Sequence, residues 1–347
     1  MVSDKYKDKN VVWVLGSGFS RSLGGPLLYD LFTKKMASLT AARGRKRAHG
    51  DLVRKVFRNH RERGLNLWSH AEEFLDYIEI ACGTGGSGMA TLLHDKIQPC
   101  TMQVFRDECL RIVADECDFV EEADTQLEAW MPYRRFKSLL GPTHRIVSFN
   151  YDLVLEKLDI DVAHPQDRLA GSFGEPVFKL HGSISWLRNG KGQIVVDSNP
   201  TRRMEEGYTP VIGTPGPTKR KLADDHLRAI WSEAMSALAK ADVVLFMGYR
   251  FPPSDAQSRA HLMEAIRNNT SRNLRIHTVL GPQTQHPDSF RLEKLLQHTL
   301  ESVGRVERSI PGHPRGTKRY QIIAQPLYVE DFLTVIHDRE LYGDIDP

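Results

Sequence analysis

Four short segments carry residue types that can do chemistry. Residues 11–26 read VVWVLGSGFSRSLGGP, an apolar β-branched run that breaks into Gly16 and Gly18 and then into small polar residues. Glycines at such a break let the backbone turn sharply and approach a pyrophosphate without a Cβ in the way. Amides at the start of a following helix would then face the phosphates. The segment is not a P-loop, because no Gly-Lys-Ser/Thr closes it, and Arg21 stands where a G-x-G-x-x-G pattern would have its third glycine. Ser20 offers its hydroxyl to a phosphate or to a helix N-cap. Arg21 offers its guanidinium to a phosphate or to solvent.

The second segment, SFNYD at 148–152, places Asn150 and Asp152 just after another apolar run. An amide and a carboxylate at a strand end can orient a substrate, or can simply serve a turn. The third, FKLHGSISW at 178–186, places His181 between an apolar run and Gly182. An imidazole titrating near pH 6.5 suits a general base or a hydrogen-bond partner, and a histidine beside an apolar run is also commonly structural. Trp186 reads as packing. The fourth, FMGYRFPPSD at 246–255, opens an apolar run into Gly248 and a Pro-Pro turn. Gly248 permits close backbone approach to a ligand. Asp255 reads as the cap of the next helix, with a ribose hydroxyl as the other use.

Elements must bring these segments together. Apolar runs at Val11–Leu15, Arg145–Phe149, Val177–Leu180, Val243–Met247, Leu274–Leu280 and Tyr320–Ala324 have the length and continuity of strands buried on both faces of a parallel sheet. Helical spacing between them is clearest from Leu222 to Lys240, with Leu227, Ile230, Trp231, Met235 and Leu238 on one face. The fold expected is α/β, a Rossmann-like doubly wound and mostly parallel sheet, whose ligands gather at the carboxyl ends of the strands. One domain over 1–347 is expected, with a helical module inserted at about 27–134 and a C-terminal segment, 283–347, that completes or flanks the sheet. The insertion is far longer than a βαβ crossover requires. Within it, 71–80 and 101–120 have helical spacing, and Gly83–Gly88 reads as a connector.

Composition excludes several classes. No apolar run approaches the ~20 residues that span a bilayer, and the first ten residues lack the apolar stretch of a secretory leader. The four cysteines, Cys82, Cys100, Cys109 and Cys117, form no C-x-x-C pair and do not resemble a zinc site, so no metal is expected. Unpaired cysteines without a leader point to a reducing cytoplasm. A net charge of +3 does not argue for nucleic acid. Locally, Lys34 to Arg63 holds eleven basic residues against two acids. That run is either a solvated face or loop, or a surface for a phosphate backbone or an acidic partner.

The four segments in this order resemble the sirtuin-like superfamily. Their wording is similar to its bacterial antiphage-defence branch more than to the deacylases. The likeness runs over roughly residues 11–282, with the insertion only loosely matched. It implies NAD+ as substrate, with Gly16, Gly18, Ser20 and Gly248 holding the dinucleotide and Asn150, His181 and Asp152 acting in catalysis. Two departures from the deacylases stand out. No cysteine follows Cys117, so their four-cysteine zinc module cannot form, and Pro26 is followed by Leu-Leu-Tyr-Asp in place of their arginine-containing stretch. The resemblance therefore implies an NAD+ hydrolase that yields nicotinamide and ADP-ribose, acting as an abortive-infection effector. It also implies a homo-oligomer and a partner such as a hexameric ATPase or an Argonaute. The competing readings are a non-catalytic NAD+ or ADP-ribose sensor, a deacylase or ADP-ribosyl transferase, and a nucleic-acid-binding subunit using Lys34 to Arg63.

Overall fold

In the computed structural model, residues 8–27, 99–120, 122–165, 176–213, 227–251, 255–282, 289–312 and 316–337 are described, together with positions 74, 75, 78, 80, 82, 314, 341 and 342. The basic run at 34–63, the glycine-rich connector at 83–88 and most of the expected insertion lie outside the described residues.

Among the described residues, seven parallel strands form the main sheet, and their sequences explain their places. β1 (Val11–Leu15) and β7 (Val243–Met247) are apolar at every position and buried at every position. They lie side by side in full register, Val11 opposite Val243 and Leu15 opposite Met247. Beyond β1 come β2 (His144–Ser148) and β3 (Val177–Lys179). Beyond β7 come β8 (Asn273–Val279), β10 (Arg319–Gln325) and β9 (Val306–Glu307), giving the order β3-β2-β1-β7-β8-β10-β9. Both edge strands are short, which limits edge-to-edge pairing with other chains. The six apolar runs expected to form a parallel α/β sheet all do so; β9, the short edge strand, was not among them.

Strand order reverses between β1 and β7. One half of the sheet is built outward from β1 and the other outward from β7, so a crevice opens at their carboxyl ends. Within two groups, the described helices pack against one another. α2 (Met131–Leu139) packs on α8 (Val329–Val335), while α5 (Arg228–Lys240), α6 (Ala256–Arg267) and α7 (Ser289–Glu301) pack in sequence on one another. On α5, Ile230, Ala234 and Leu238 are buried, while Trp231 and Met235 pack at the margin of the core.

A smaller antiparallel sheet was not foreseen from sequence. β4 (Gly182–Arg188) lies between β5 (Ile194–Val196) and β6 (Thr209–Ile212). With α1 (Pro99–Cys117) it closes a second core, in which Phe105, Cys109 and Val113 meet Ile184, Leu187 and Ile212. The turn between β4 and β5 is built by Asn189, whose Oδ1 accepts from the amides of Lys191 and Gln193 at 2.9 Å each. α3 (Val154–Lys157) and α4 (Pro200–Glu205) are single turns.

The C-terminal residues tie back to the sheet. The Trp13 indole donates to His144 Nδ1 at 3.2 Å, and His144 Nε2 lies 3.0 Å from the Tyr342 hydroxyl. Indole can only donate, so Nδ1 must accept and Nε2 carries the proton toward Tyr342.

Candidate active site

The crevice at the reversal point holds a cavity of about 480 Å³. Gly18, Ser20, Asn150, Asp152, His181 and Gly248, drawn from the ends of four strands, all line it. Gly16 does not. It stands one layer behind, where its carbonyl accepts from Asn150 Nδ2 at 3.0 Å.

The glycines have a reason beyond room for a ligand. The turns after β1 and β7 pack backbone against backbone: Gly16 N donates to Met247 O at 3.0 Å and Gly18 N to Gly248 O at 3.1 Å. A Cβ on Gly16 would sit 2.6 Å from Tyr249 Cα, and one on Gly248 would sit 2.5 Å from Gly18 Cα. Gly248 also has φ +66°, a region most side chains avoid. The two turns can close the reversal point only as glycines.

Behind the first turn, aromatic packing fixes the chain. Phe19 stands edge-on to Tyr133 and Phe136 of α2, and the Tyr133 hydroxyl donates to Phe19 O at 2.6 Å. Ser20 occupies the N-cap position of the short helix Arg21–Leu23 without capping it. Its hydroxyl donates instead to Asp152 Oδ2 at 2.7 Å, and Ser20 Oγ in turn accepts from Asn150 Nδ2 at 3.4 Å. Asp152 Oδ1 accepts from Val154 N at 3.1 Å. Asn150 and Asp152 are thus joined through Ser20, with Asn150 8% and Asp152 6% exposed.

Burial pushes the Asp152 carboxyl up from its ordinary value, against the opposing pull of Lys179 and of the Ser20 and Val154 hydrogen bonds. Lys179, 1% exposed, lies beneath it. Its ammonium donates to Asp152 O and to Ser183 Oγ and pairs with Glu156 Oε1 at 2.6 Å.

His181 follows β3, and Gly182 after it has φ +84° with the Val211 carbonyl where a Cβ would stand. Only glycine lets β4 leave at that angle beside β6. The imidazole is 5% exposed and edge-on to Phe149, with ring centroids 4.9 Å apart. Phe149 in turn stacks on Tyr249 at 4.0 Å with parallel planes. His181 Nε2 lies 3.3 Å from Ser258 Oγ and 3.8 Å from Asp255 Oδ1. Asp255 takes the N-cap position of α6 but makes no capping hydrogen bond; its Oδ2 accepts from the Tyr249 hydroxyl at 3.0 Å. The helix-cap role expected from sequence is therefore replaced by contacts with the site.

Sequence reasoning passed over Phe149, Lys179, Tyr249, Arg250 and Ser258. Ser258 was detectable in principle, since i and i+3 on one helix place it beside Asp255. Arg21 and Arg250 give the cavity wall two cations, and Tyr328 and Glu330 also line it. Among the described residues no group of three or more His, Cys, Asp or Glu side chains is placed to hold a metal ion. No described helix is long and apolar enough to cross a membrane.

No family model and no curated protein matches the chain. Among solved structures it is similar to one described as Sir2 in complex with the inhibitor EX-527, 2'-O-acetyl-ADP-ribose and a deacetylated p53 peptide, at 11% identity over 96% of this chain and 94% of that chain, TM-score 0.38. A second, described as the structural basis of sirtuin substrate affinity, is 13% identical over 87% of this chain and 97% of that chain, TM-score 0.35. At these values the likeness is slight.

Proposed function

We propose that the chain hydrolyses NAD+ at the nicotinamide–ribose bond, releasing nicotinamide and ADP-ribose. The observation that carries this reading is the convergence of Asn150, Asp152 and His181 with the two interlocked glycine turns in one cavity at the strand-order reversal. A cavity of about 480 Å³ lies in the range of cofactor and small-molecule sites. Arg21 and Arg250 on its wall complement a diphosphate.

In this mechanism the C1'–N bond breaks and its electron pair stays on the nicotinamide nitrogen, which leaves neutral without a general acid. A water oxygen bonds to C1', and its proton passes to His181. Asn150 commits Nδ2 to Gly16 O and Ser20, so Oδ1 is the acceptor it offers to the water or a ribose hydroxyl. Asp152 holds that arrangement through Ser20 and adds negative potential near the developing cation. Water is favoured as acceptor because no cysteine after Cys117 exists to build a zinc-bound acyl-lysine cleft.

The test is nicotinamide release by the purified chain. His181→Ala and Asn150→Ala should each lose ~10²-fold or more, with NAD+ binding retained by calorimetry. Wild-type turnover in both variants rejects the assignment, and binding without any turnover replaces it with the sensor reading. As a defence effector the activity would be held silent until a trigger arrives, in a homo-oligomer or with a partner such as a hexameric ATPase. NAD+ loss in infected cells, abolished by His181→Ala, tests that role.

A further inference from the structure

We propose that Asp255, with Ser258, is the positioning residue that decides which nitrogen of His181 carries the proton. In the kinetic arm below this rests on the hydrolase reading; in the spectroscopic arm it does not.

Asp255 is a buried carboxylate, 3% exposed, at the first turn of α6. A buried carboxylate is costly unless something compensates it. It does not cap the helix. The Tyr249 hydroxyl takes one of its oxygens at 3.0 Å, and the other faces His181 Nε2 at 3.8 Å. That separation is beyond a direct hydrogen bond. Ser258 Oγ, at 3.3 Å from the same nitrogen, can accept from it, and Asp255 supplies the charge that selects that direction. An ionised carboxylate can only accept, so this environment favours the proton on Nε2 and leaves Nδ1 basic. Once Nδ1 takes a proton, the adjacent negative charge stabilises the imidazolium. The Phe149 edge contact holds the ring in place while this happens.

Other ionisable groups near the ring are differently engaged. The Tyr151 ring lies 6.3 Å from the imidazole and its hydroxyl donates to Gly213 O, while Asp152, on the same loop and the same cavity wall, is bonded to Ser20. Lys179, two residues earlier on β3, is committed to Glu156 and Ser183.

The experiment uses the full chain with labelled histidine and follows the His181 imidazole by NMR across pH, its signal assigned by loss in His181→Gln. Asp255→Asn should lower the proton affinity of the ring by about tenfold, the size of effect expected on losing one nearby opposite charge. Nicotinamide release should fall about 10–10²-fold in kcat with KM for NAD+ unchanged. Combining Asp255→Asn with His181→Ala should be no slower than His181→Ala alone. An unchanged titration overturns the proposal whatever reaction the chain performs. A raised KM at constant kcat also overturns it, because Asp255 would then be a substrate contact. If the wild type releases no nicotinamide but the titration shifts, the hydrolase reading fails and the positioning role stands. Should Asp255→Asn not fold, Tyr249→Phe frees the second carboxylate oxygen and should raise the ring's proton affinity a few-fold; no change there overturns the proposal.

Discussion

Removing the ammonium of Lys179 should weaken the whole molecule and not only its site. The side chain is 1% exposed, and its charge is matched by Glu156, whose side chain is 24% exposed overall but whose Oε2 is buried. Lys179→Met would leave Glu156 without its cation, Asp152 O without its donor and Ser183 without a partner on that side. Breaking a buried pair from one side costs about 3–5 kcal/mol, and taking the lower end, since the Glu156 side chain is not wholly enclosed, gives about 3 kcal/mol. With an unfolding entropy of about 2.1 cal/mol/K per residue, a chain of 347 residues should melt about 4 °C lower. The double variant Lys179→Met with Glu156→Gln should recover much of that loss, because the stranded charge is gone. Calorimetric melting of Lys179→Met, Glu156→Gln and the double variant at pH 7 is the assay. A single variant that melts with the wild type, or a double variant as unstable as the two single losses added, would refute the view that this pair compensates itself in the interior.

Further outcomes follow from the same geometry. Gly248→Ala forces a side chain into φ +66° against Gly18; overpacking costs about 1–3 kcal/mol, and with the backbone strain added, melting and NAD+ binding should both suffer. Burial, aided by Arg275, lowers the His277 imidazole to about 4. The unfolded chain therefore takes up a proton that the folded chain refuses. The stability this group contributes is complete above pH 6.5 and is lost as pH falls from there toward 4, by up to about 3 kcal/mol. Urea unfolding at pH 7 and pH 5 should show about 2 kcal/mol of that loss, and His277→Gln should reduce it. Tyr342→Phe removes the hydroxyl beside His144 and should cost about 1 kcal/mol, read as a small fall in melting temperature without change in catalysis.

The sequence alone marked six of the seven strands of the parallel sheet, because a strand covered on both faces must be apolar at successive positions, as VVWVL and VVLFM are; the two-residue edge strand β9 was too short and too polar to show. It also marked where those strands end, since Gly, Asn and His interrupt the runs at their carboxyl ends. It did not determine strand order, and hence the reversal between β1 and β7, because a buried apolar strand carries no label for its neighbour. Nor did it show that Gly18 and Gly248 are required by each other, a contact between turns some 230 residues apart in the chain. The small antiparallel sheet escaped notice because Ser183 and Ser185 break the apolar pattern of β4, their hydroxyls being satisfied by each other and by Lys179 only after folding. Asp255 looked like a helix cap because its local setting is that of one; its actual partners, Tyr249 and His181, are set by the approach of α6 to the end of β3. Local sequence encodes burial and turn geometry, while the pairing of charges and ring nitrogens depends on distances that exist only once the sheet has assembled.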